Sequence, residues 1–173
     1  MKNEIYELKD GKGYIKEYDF YNYLEYEGEY LNGQRNGKGK KYYGKGKIKF
    51  EGEYLNGRRY GKGKEYNNKD ELGFEEEFLY DFQIKGKFYI NGKLEYEEEY
   101  LFDKKWNGKG YDEYGNIIYE LKNGNGKIKE YFDYKHLRFE GEHLNGKRNG
   151  KGKEYFGTIL IFDREYLNGK RIE

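Results

Sequence analysis

The chain has no cysteine and no proline, and it contains no alanine, serine or valine. Without cysteine there can be neither disulfides nor thiolate metal sites. Without serine or cysteine, and with Thr158 as its one threonine, it cannot assemble a Ser/His/Asp or Cys/His nucleophile. It should therefore not be an enzyme, and no cofactor motif is present. Long apolar runs are also missing. No stretch suits a transmembrane helix, and the residues after Met1 (Lys2, Asn3, Glu4) lack the apolar core of a signal peptide. A cytoplasmic protein is expected, with peripheral placement at a membrane or the cytoskeleton left open.

Aliphatic side chains are scarce: 35% of residues are hydrophobic, but aromatics alone make up 20%. With 39% charged residues and a mean hydropathy of -1.32, a thick globular core is out of reach. This composition lies near that of disordered chains. Two features oppose that reading. The net charge is only +1, and 23 tyrosines with 11 phenylalanines supply large rings that can be buried. Lysine and glutamate are interleaved, so no broad basic field exists to attract nucleic acid.

Self-similarity organises what is there. Tyr26-Glu27-Gly28-Glu29-Tyr30-Leu31-Asn32-Gly33 returns as Phe50-Glu51-Gly52-Glu53-Tyr54-Leu55-Asn56-Gly57 and as Phe139-Glu140-Gly141-Glu142-His143-Leu144-Asn145-Gly146. Weaker copies begin at Phe74, Tyr96 and Phe162, and shortened ones at Tyr6 and Tyr119. The period is about 23 residues, the scale of stacked supersecondary units. Tyr6 to Gly11 also matches Tyr119 to Gly124, so a block of units is replayed. With no linker-like segment, residues 1–173 read as one repeat domain, with units starting near 6, 26, 50, 74, 96, 119, 139 and 162.

Each unit reads as a β-hairpin. Ile48, Phe50, Gly52 and Tyr54 alternate with Lys47, Lys49, Glu51 and Glu53, the period of a strand. Asn56-Gly57 suits a turn that needs positive φ. With a loop over Asn56 to Tyr60, Leu55 should face Tyr60, Tyr54 should face Gly61, Glu53 should oppose Lys62 and Glu51 should oppose Lys64. One face then carries rings over glycines, and the other carries Glu–Lys pairs. Gly28, Gly52 and Gly141 are expected to leave bare backbone for a neighbouring ring. Helix competes as a reading only over Tyr18 to Tyr30, where Gly28 and the tyrosines oppose it. The fold expected is all-β: tandem two-stranded antiparallel hairpins in one elongated, twisted, single-layer sheet.

The motif Tyr/Phe-Glu-Gly-Glu-Tyr-Leu-Asn-Gly, followed by a basic pair and Gly-Lys-Gly, closely resembles the MORN (membrane occupation and recognition nexus) repeat. The matches are nearly complete over residues 26–39, 50–63 and 139–152. The resemblance implies tandem hairpins serving as an interaction module, often dimerising, with lipid binding proposed for some members. The family often has Trp where this chain has Tyr30, Tyr54 and Tyr100; Trp106, the single Trp, falls at a loop-like position. Glu76 and Glu98 replace the strand glycine in the two central units. Choline- or glucan-binding wall repeats are a weaker match, since they need paired Trp/Tyr clusters and export.

Other motifs read as repeat chemistry. His143 takes the place of Tyr30 and Tyr54, and His136 falls in a predicted turn; two such histidines make no metal site. Carboxylate pairs such as Glu27/Glu29, Glu51/Glu53 and Glu97/Glu99 recur with matching lysines, as a solvated face would. The Gly57-to-Gly63 segment lacks the spacing and following Ser/Thr of a phosphate loop.

Three groups remain as candidate sites. Tyr80, Phe82, Ile84, Phe102 and Trp106 are apolar where other units have turn residues, which suits a protein partner of unknown identity. Ile159, Leu160, Ile161 and Phe162 form the most apolar run, either an edge that pairs with a second copy or ordinary repeat packing. Arg35, Lys38, Arg58, Arg59, Lys62, Arg148 and Lys151 recur in successive loops and could hold anionic phospholipid headgroups weakly. A non-catalytic protein-interaction scaffold, with homodimerisation open, is the leading expectation; peripheral lipid binding is the alternative.

Overall fold

The computed structural model describes residues 8–102, 104–132 and 136–172; the shortened unit at Tyr6 lies outside them. The described chain is all-β, and its only helical element is one turn of 3-10 helix at Gly44–Gly46. It divides into two compact units, Met1–Ile84 and Lys85–Glu173.

The first unit holds β1 (Lys12–Tyr18), β2 (Leu24–Leu31), β3 (Gln34–Tyr42), β4 (Ile48–Leu55), β5 (Arg58–Tyr66) and β6 (Leu72–Leu79). Strand β7 (Phe82–Ile90) crosses the boundary. The second unit continues with β8 (Lys93–Leu101), β9 (Lys104–Tyr111), β10 (Ile117–Lys122), β11 (Asn125–Tyr131), β12 (Leu137–Leu144), β13 (Lys147–Phe156), β14 (Ile159–Leu167) and β15 (Lys170–Arg171). Within each unit, strands pair antiparallel with their neighbours in chain order. Each unit is thus a single layer of successive hairpins that does not close into a barrel, as the repeat predicts.

A single layer has no second sheet to bury its rings against, so the rings lie on the sheet's own backbone. Phe50 covers the facing pair Gly52 and Gly63. A Cβ added at Gly52 would stand 2.6 Å from the Phe50 ring and 2.8 Å from the Gly63 Cα. Tyr26 covers Gly28 and Gly39 in the same way, and Phe139 covers Gly141 and Gly152. Successive rings then meet edge to face: Tyr26–Tyr54 at 5.4 Å, Phe50–Tyr54 at 5.8 Å and Phe50–Phe78 at 5.9 Å. That is the arrangement ring quadrupoles favour. Tyr26 and Phe139 are wholly buried by this packing.

The hairpin register differs from expectation in one systematic way. Glu51 faces Lys64 as expected, but Leu55 pairs with Arg58 rather than Tyr60, and Tyr54 with Arg59 rather than Gly61. Asn56 (φ 51°) and Gly57 (φ 80°) close a two-residue turn by themselves. The extra residues are absorbed as a bulge: between Gly52↔Gly63 and Tyr54↔Arg59, Glu53 alone faces Tyr60, Gly61 and Lys62. Glu53 consequently pairs with Lys38 of the preceding strand, and Lys62 with Glu77 of the following one.

Bulge and glutamate explain each other. Gly61 sits at φ +69°, and a Cβ there would meet the Glu53 carboxylate at 2.6 Å. The carboxylates of Glu29 and Glu142 fold over Gly37 and Gly150 in the same way, and Lys151 N donates to Glu142 at 3.2 Å. The second glutamate of the motif therefore folds its side chain over the glycine of the hairpin's own bulge. Each turn also docks on the preceding bulge: Gly57 N donates to Arg35 O at 2.9 Å, and Asn56 N to the Asn36 side chain at 3.4 Å.

Two central positions depart from the pattern. Glu98 stands where a glycine is expected, between Gly86 and Gly108, and is buried. Its carboxylate accepts from Tyr100 and pairs with Lys105 at 2.5 Å. The β8–β9 bulge shrinks to one residue, Trp106, which thus belongs to a strand rather than a loop.

Replacing Gly63 with alanine should destabilise the chain by about 2 kcal/mol through overpacking, because its Cβ would lie 2.5 Å from the Phe50 ring. Gly33→Ala meets open space at φ +74° and should cost only about 1 kcal/mol. Urea denaturation of both variants checks the difference.

Candidate functional site

The two sheet faces carry different chemistry. On the ring face, the arginine two residues beyond the Asn-Gly turn lies flat on the aromatic core. The Arg35 guanidinium stands 4.0 Å from the Tyr26 ring centroid and grips Glu17 with two bonds, of 2.6 and 2.9 Å. Arg148 repeats this on Phe139 at 4.0 Å, with Glu130 at 2.6 Å and Glu154 at 3.0 Å. Arg59 stacks on Phe78 at 4.1 Å and pairs with Glu65 at 3.0 Å. Arg171 holds Glu154 at 2.6 Å. Planar guanidinium suits both the ring and the carboxylate, which lysine does only in part.

Buried His143 belongs to the same network. Its Nε2 stands 3.4 Å from Glu130 Oε1, and its ring lies 5.9 Å from Phe139. Burial pushes the Glu130 carboxyl up, but the nearby His143 ring and the hydrogen-bonded Arg148 guanidinium outweigh it and bring it down to about 2.

On the opposite face the first unit runs a charge-alternating row in register, Lys16, Glu27, Lys40, Glu51, Lys64 and Glu75. Ion pairs close at 3.6 Å (Lys16–Glu27), 3.9 Å (Lys40–Glu51) and 3.5 Å (Lys64–Glu75). Tyr42 donates to Glu27 at 2.5 Å and Tyr66 to Glu51 at 2.6 Å. In the second unit the corresponding row is Lys87, Glu97, Lys109 and Glu120.

The seven basic candidates separate between these faces. Arg35, Arg59 and Arg148 are committed to rings and carboxylates on the ring face. Lys38, Lys62 and Lys151 stand opposite Glu53, Glu77 and Glu165 on the other. Arg58 is exposed at the start of β5. The sequence repeat put these side chains in one loop; strand alternation sends them to two sides.

Of the apolar candidates, Tyr80 (42%), Phe82 (57%) and Ile84 (37%) are exposed in the first unit, beside Leu79 (44%) and Tyr60 (38%). The Tyr60 and Tyr80 rings stand 5.5 Å apart. Tyr80 and Asp81 take the turn at φ 51° and 70°, and Asp81 caps Arg59 N at 2.9 Å. In the second unit Phe102 is almost fully exposed, whereas Trp106 is half-buried against the Asn123–Gly124 turn, accepting from Gly124 N at 2.6 Å. Ile159, Leu160 and Ile161 are exposed on β14, and Phe162 is half-buried near Tyr166 at 5.1 Å. Strand β15 pairs with β14 only at Tyr166 and Leu167.

One concave feature was not read from the repeats. A cleft of about 500 Å³ opens in the second unit, lined among others by Lys85, Glu97, Glu99, Asn107, Lys109 and Glu120. It lies where the hairpins are irregular: β10 pairs with β11 at only two positions, Leu121↔Gly126 and Lys122↔Asn125. Nearby, Tyr131 of β11 stacks on Tyr96 of β8 at 5.5 Å and 4°. The only signals in the sequence were the shortened turn Asn123-Gly124-Asn125-Gly126 and the extra residue Trp106. Among the described residues no group of three or more carboxylate and histidine side chains is placed to hold a metal ion.

No known family profile matches the chain, and comparison with curated proteins finds no relative.

Because Glu130 drops from the ordinary 4.5 to about 2, it favours the folded state above pH 4.5. That contribution, about 3 kcal/mol, should fade as the pH falls from about 4.5 to about 2. Urea midpoints across this range should fall for the native chain and fall less steeply for Glu130→Gln.

Proposed function

We propose that the chain is a non-catalytic repeat scaffold of the MORN type that binds other proteins. The observation that carries this reading is the apolar cluster of Tyr60, Leu79, Tyr80, Phe82 and Ile84, each more than a third exposed. Contiguous exposed rings at a turn are costly in a soluble domain and suit a partner's apolar anchor. The Asn-Gly-x-Arg hairpin and its ring-over-glycine packing support the resemblance to MORN repeats, which rests on the motif itself.

Homodimerisation through β14 is part of this reading. Among the described residues, Ile159 to Glu165 have β13 on one side and no strand on the other. An apolar strand edge of that length is a template for an identical one.

Peripheral binding to anionic lipid has less support, since three of its seven candidate cations are committed to carboxylates on the ring face.

Affinity capture from the source cells, with the native chain and with Phe82→Lys/Ile84→Lys, tests the scaffold. Specific partners should be retained by the first and lost by the second; equal retention, or none, would overturn the role of the cluster. Light scattering should give a dimer for the native chain and a monomer for Ile161→Lys; a monomer in both removes the edge. Saturable liposome co-sedimentation at physiological salt would favour the lipid alternative.

A further inference from the structure

Asparagine followed by glycine occurs ten times in the chain. This dipeptide has a chemistry of its own, because glycine sets no side chain between its amide nitrogen and the asparagine side chain. The nitrogen loses its proton and attacks the asparagine Cγ. A new N–Cγ bond forms, the Cγ–Nδ2 bond breaks, ammonia leaves, and a succinimide ring results. Water then opens either carbonyl of the ring, giving aspartate or isoaspartate. The attack needs the asparagine side chain and the peptide after it to rotate, so a turn held by hydrogen bonds must first open.

Eight of the ten dipeptides are held in pairs. In each pair, the carbonyl preceding one Asn-Gly accepts from the glycine nitrogen of the next turn. The first asparagine side chain also accepts from the second asparagine nitrogen. Asn36 and Asn56 are joined so, with Gly57 N on Arg35 O at 2.9 Å and Asn56 N on the Asn36 side chain at 3.4 Å. The same two bonds join Asn107 to Asn123 (2.6 and 3.0 Å), Asn125 to Asn145 (2.9 and 3.0 Å) and Asn149 to Asn168 (2.8 and 3.2 Å). One partner thus has its side chain fixed, and the other has its attacking nitrogen occupied.

Asn32-Gly33 and Asn91-Gly92 stand outside these pairs. All four residues are exposed. Among the described residues, neither asparagine side chain and neither glycine nitrogen has a hydrogen-bond partner. The cause is position. The hairpin before Asn32 has no asparagine after its turn, since Lys12-Gly13-Tyr14 follow Asp10-Gly11. Asn91-Gly92 joins β7 to β8, on the opposite edge of the sheet from the turns that follow β10 and β12. Turn shape does not separate the two groups: Asn32 and Asn91 have φ of 52° and 50°, the paired Asn56 and Asn145 have 51° and 52°.

We propose that Asn32 and Asn91 are selective deamidation sites, at which the folded protein is modified as it ages. Aspartate fits such a turn, as Asp10 and Asp81 do at φ 54° and 70°. Isoaspartate routes the main chain through the side-chain carboxyl and adds a methylene, which a two-residue turn does not accommodate. At Asn91 it would loosen β7 from β8 where Ile90 pairs with Lys93.

The test is incubation of the full chain in warm, mildly alkaline buffer, with peptide mapping by mass spectrometry at intervals. Asn32 and Asn91 should each convert about tenfold faster than the paired asparagines, whose turns open only when two further hydrogen bonds break. In urea, with the chain unfolded, the rates should converge. Asn36→Leu removes one bond from the Asn56 turn and should speed conversion at Asn56 severalfold while leaving Asn145 and Asn168 unchanged. Circular dichroism verifies the fold of that variant, and the native-chain rates decide the matter without it. Conversion of Asn32 or Asn91 no faster than the paired asparagines, the same ranking in urea, or an Asn56 rate unmoved in folded Asn36→Leu would each overturn the proposal.

Discussion

A ring laid on two facing glycines is the contact on which the rest of this structure depends. A one-layer sheet cannot hide aromatic side chains between layers, so it must clear backbone for them. The Gly52/Gly63 pair does this for Phe50, and the Gly141/Gly152 pair for Phe139. Covered by the arginine guanidinium from above and by glycine from below, the ring reaches an environment as dry as a globular core. The arginine in turn needs a carboxylate, which the neighbouring hairpin supplies as Glu17 or Glu130. Ring, glycine, arginine and glutamate thus form one dependent set, and each set reaches across more than one hairpin.

Much of this was legible in the residues. Alternation and Asn-Gly marked the strands and turns, and the ring-over-glycine role of Gly28, Gly52 and Gly141 followed from spacing. The bulge was not legible, because an extra residue in a strand leaves no mark except a glycine at positive φ, such as Gly61, that also reads as part of a loop. That one feature moved Tyr54 from Gly61 to Arg59 and turned the arginines inward. Basic residues adjacent in sequence, such as Arg35 and Lys38, consequently serve opposite faces.

The apolar candidates fared unevenly for a related reason. Phe82 and Phe102 look out into solvent, but Trp106 packs on a neighbouring turn, a contact set by hairpin stacking rather than by local sequence. The cleft depends on the same long-range geometry, since it opens where β10 meets β11 at only two positions and Tyr131 of β11 stacks on Tyr96 of β8.

The docking of each turn on the previous bulge has an evolutionary consequence. Gly57 N on Arg35 O, Asp81 N on Arg59 O and Gly169 N on Arg148 O are one joint used repeatedly. A newly duplicated hairpin therefore arrives with both halves of that joint, complementary to the copy before it and the copy after it. Such a chain can grow by whole units without inventing an interface, and the replay of Tyr6–Gly11 at Tyr119–Gly124 records growth of that kind. Departures then enter where a copy is trimmed, as at the shortened turn at Asn123, where Gly124 bonds Trp106 on one side and Gly146 on the other.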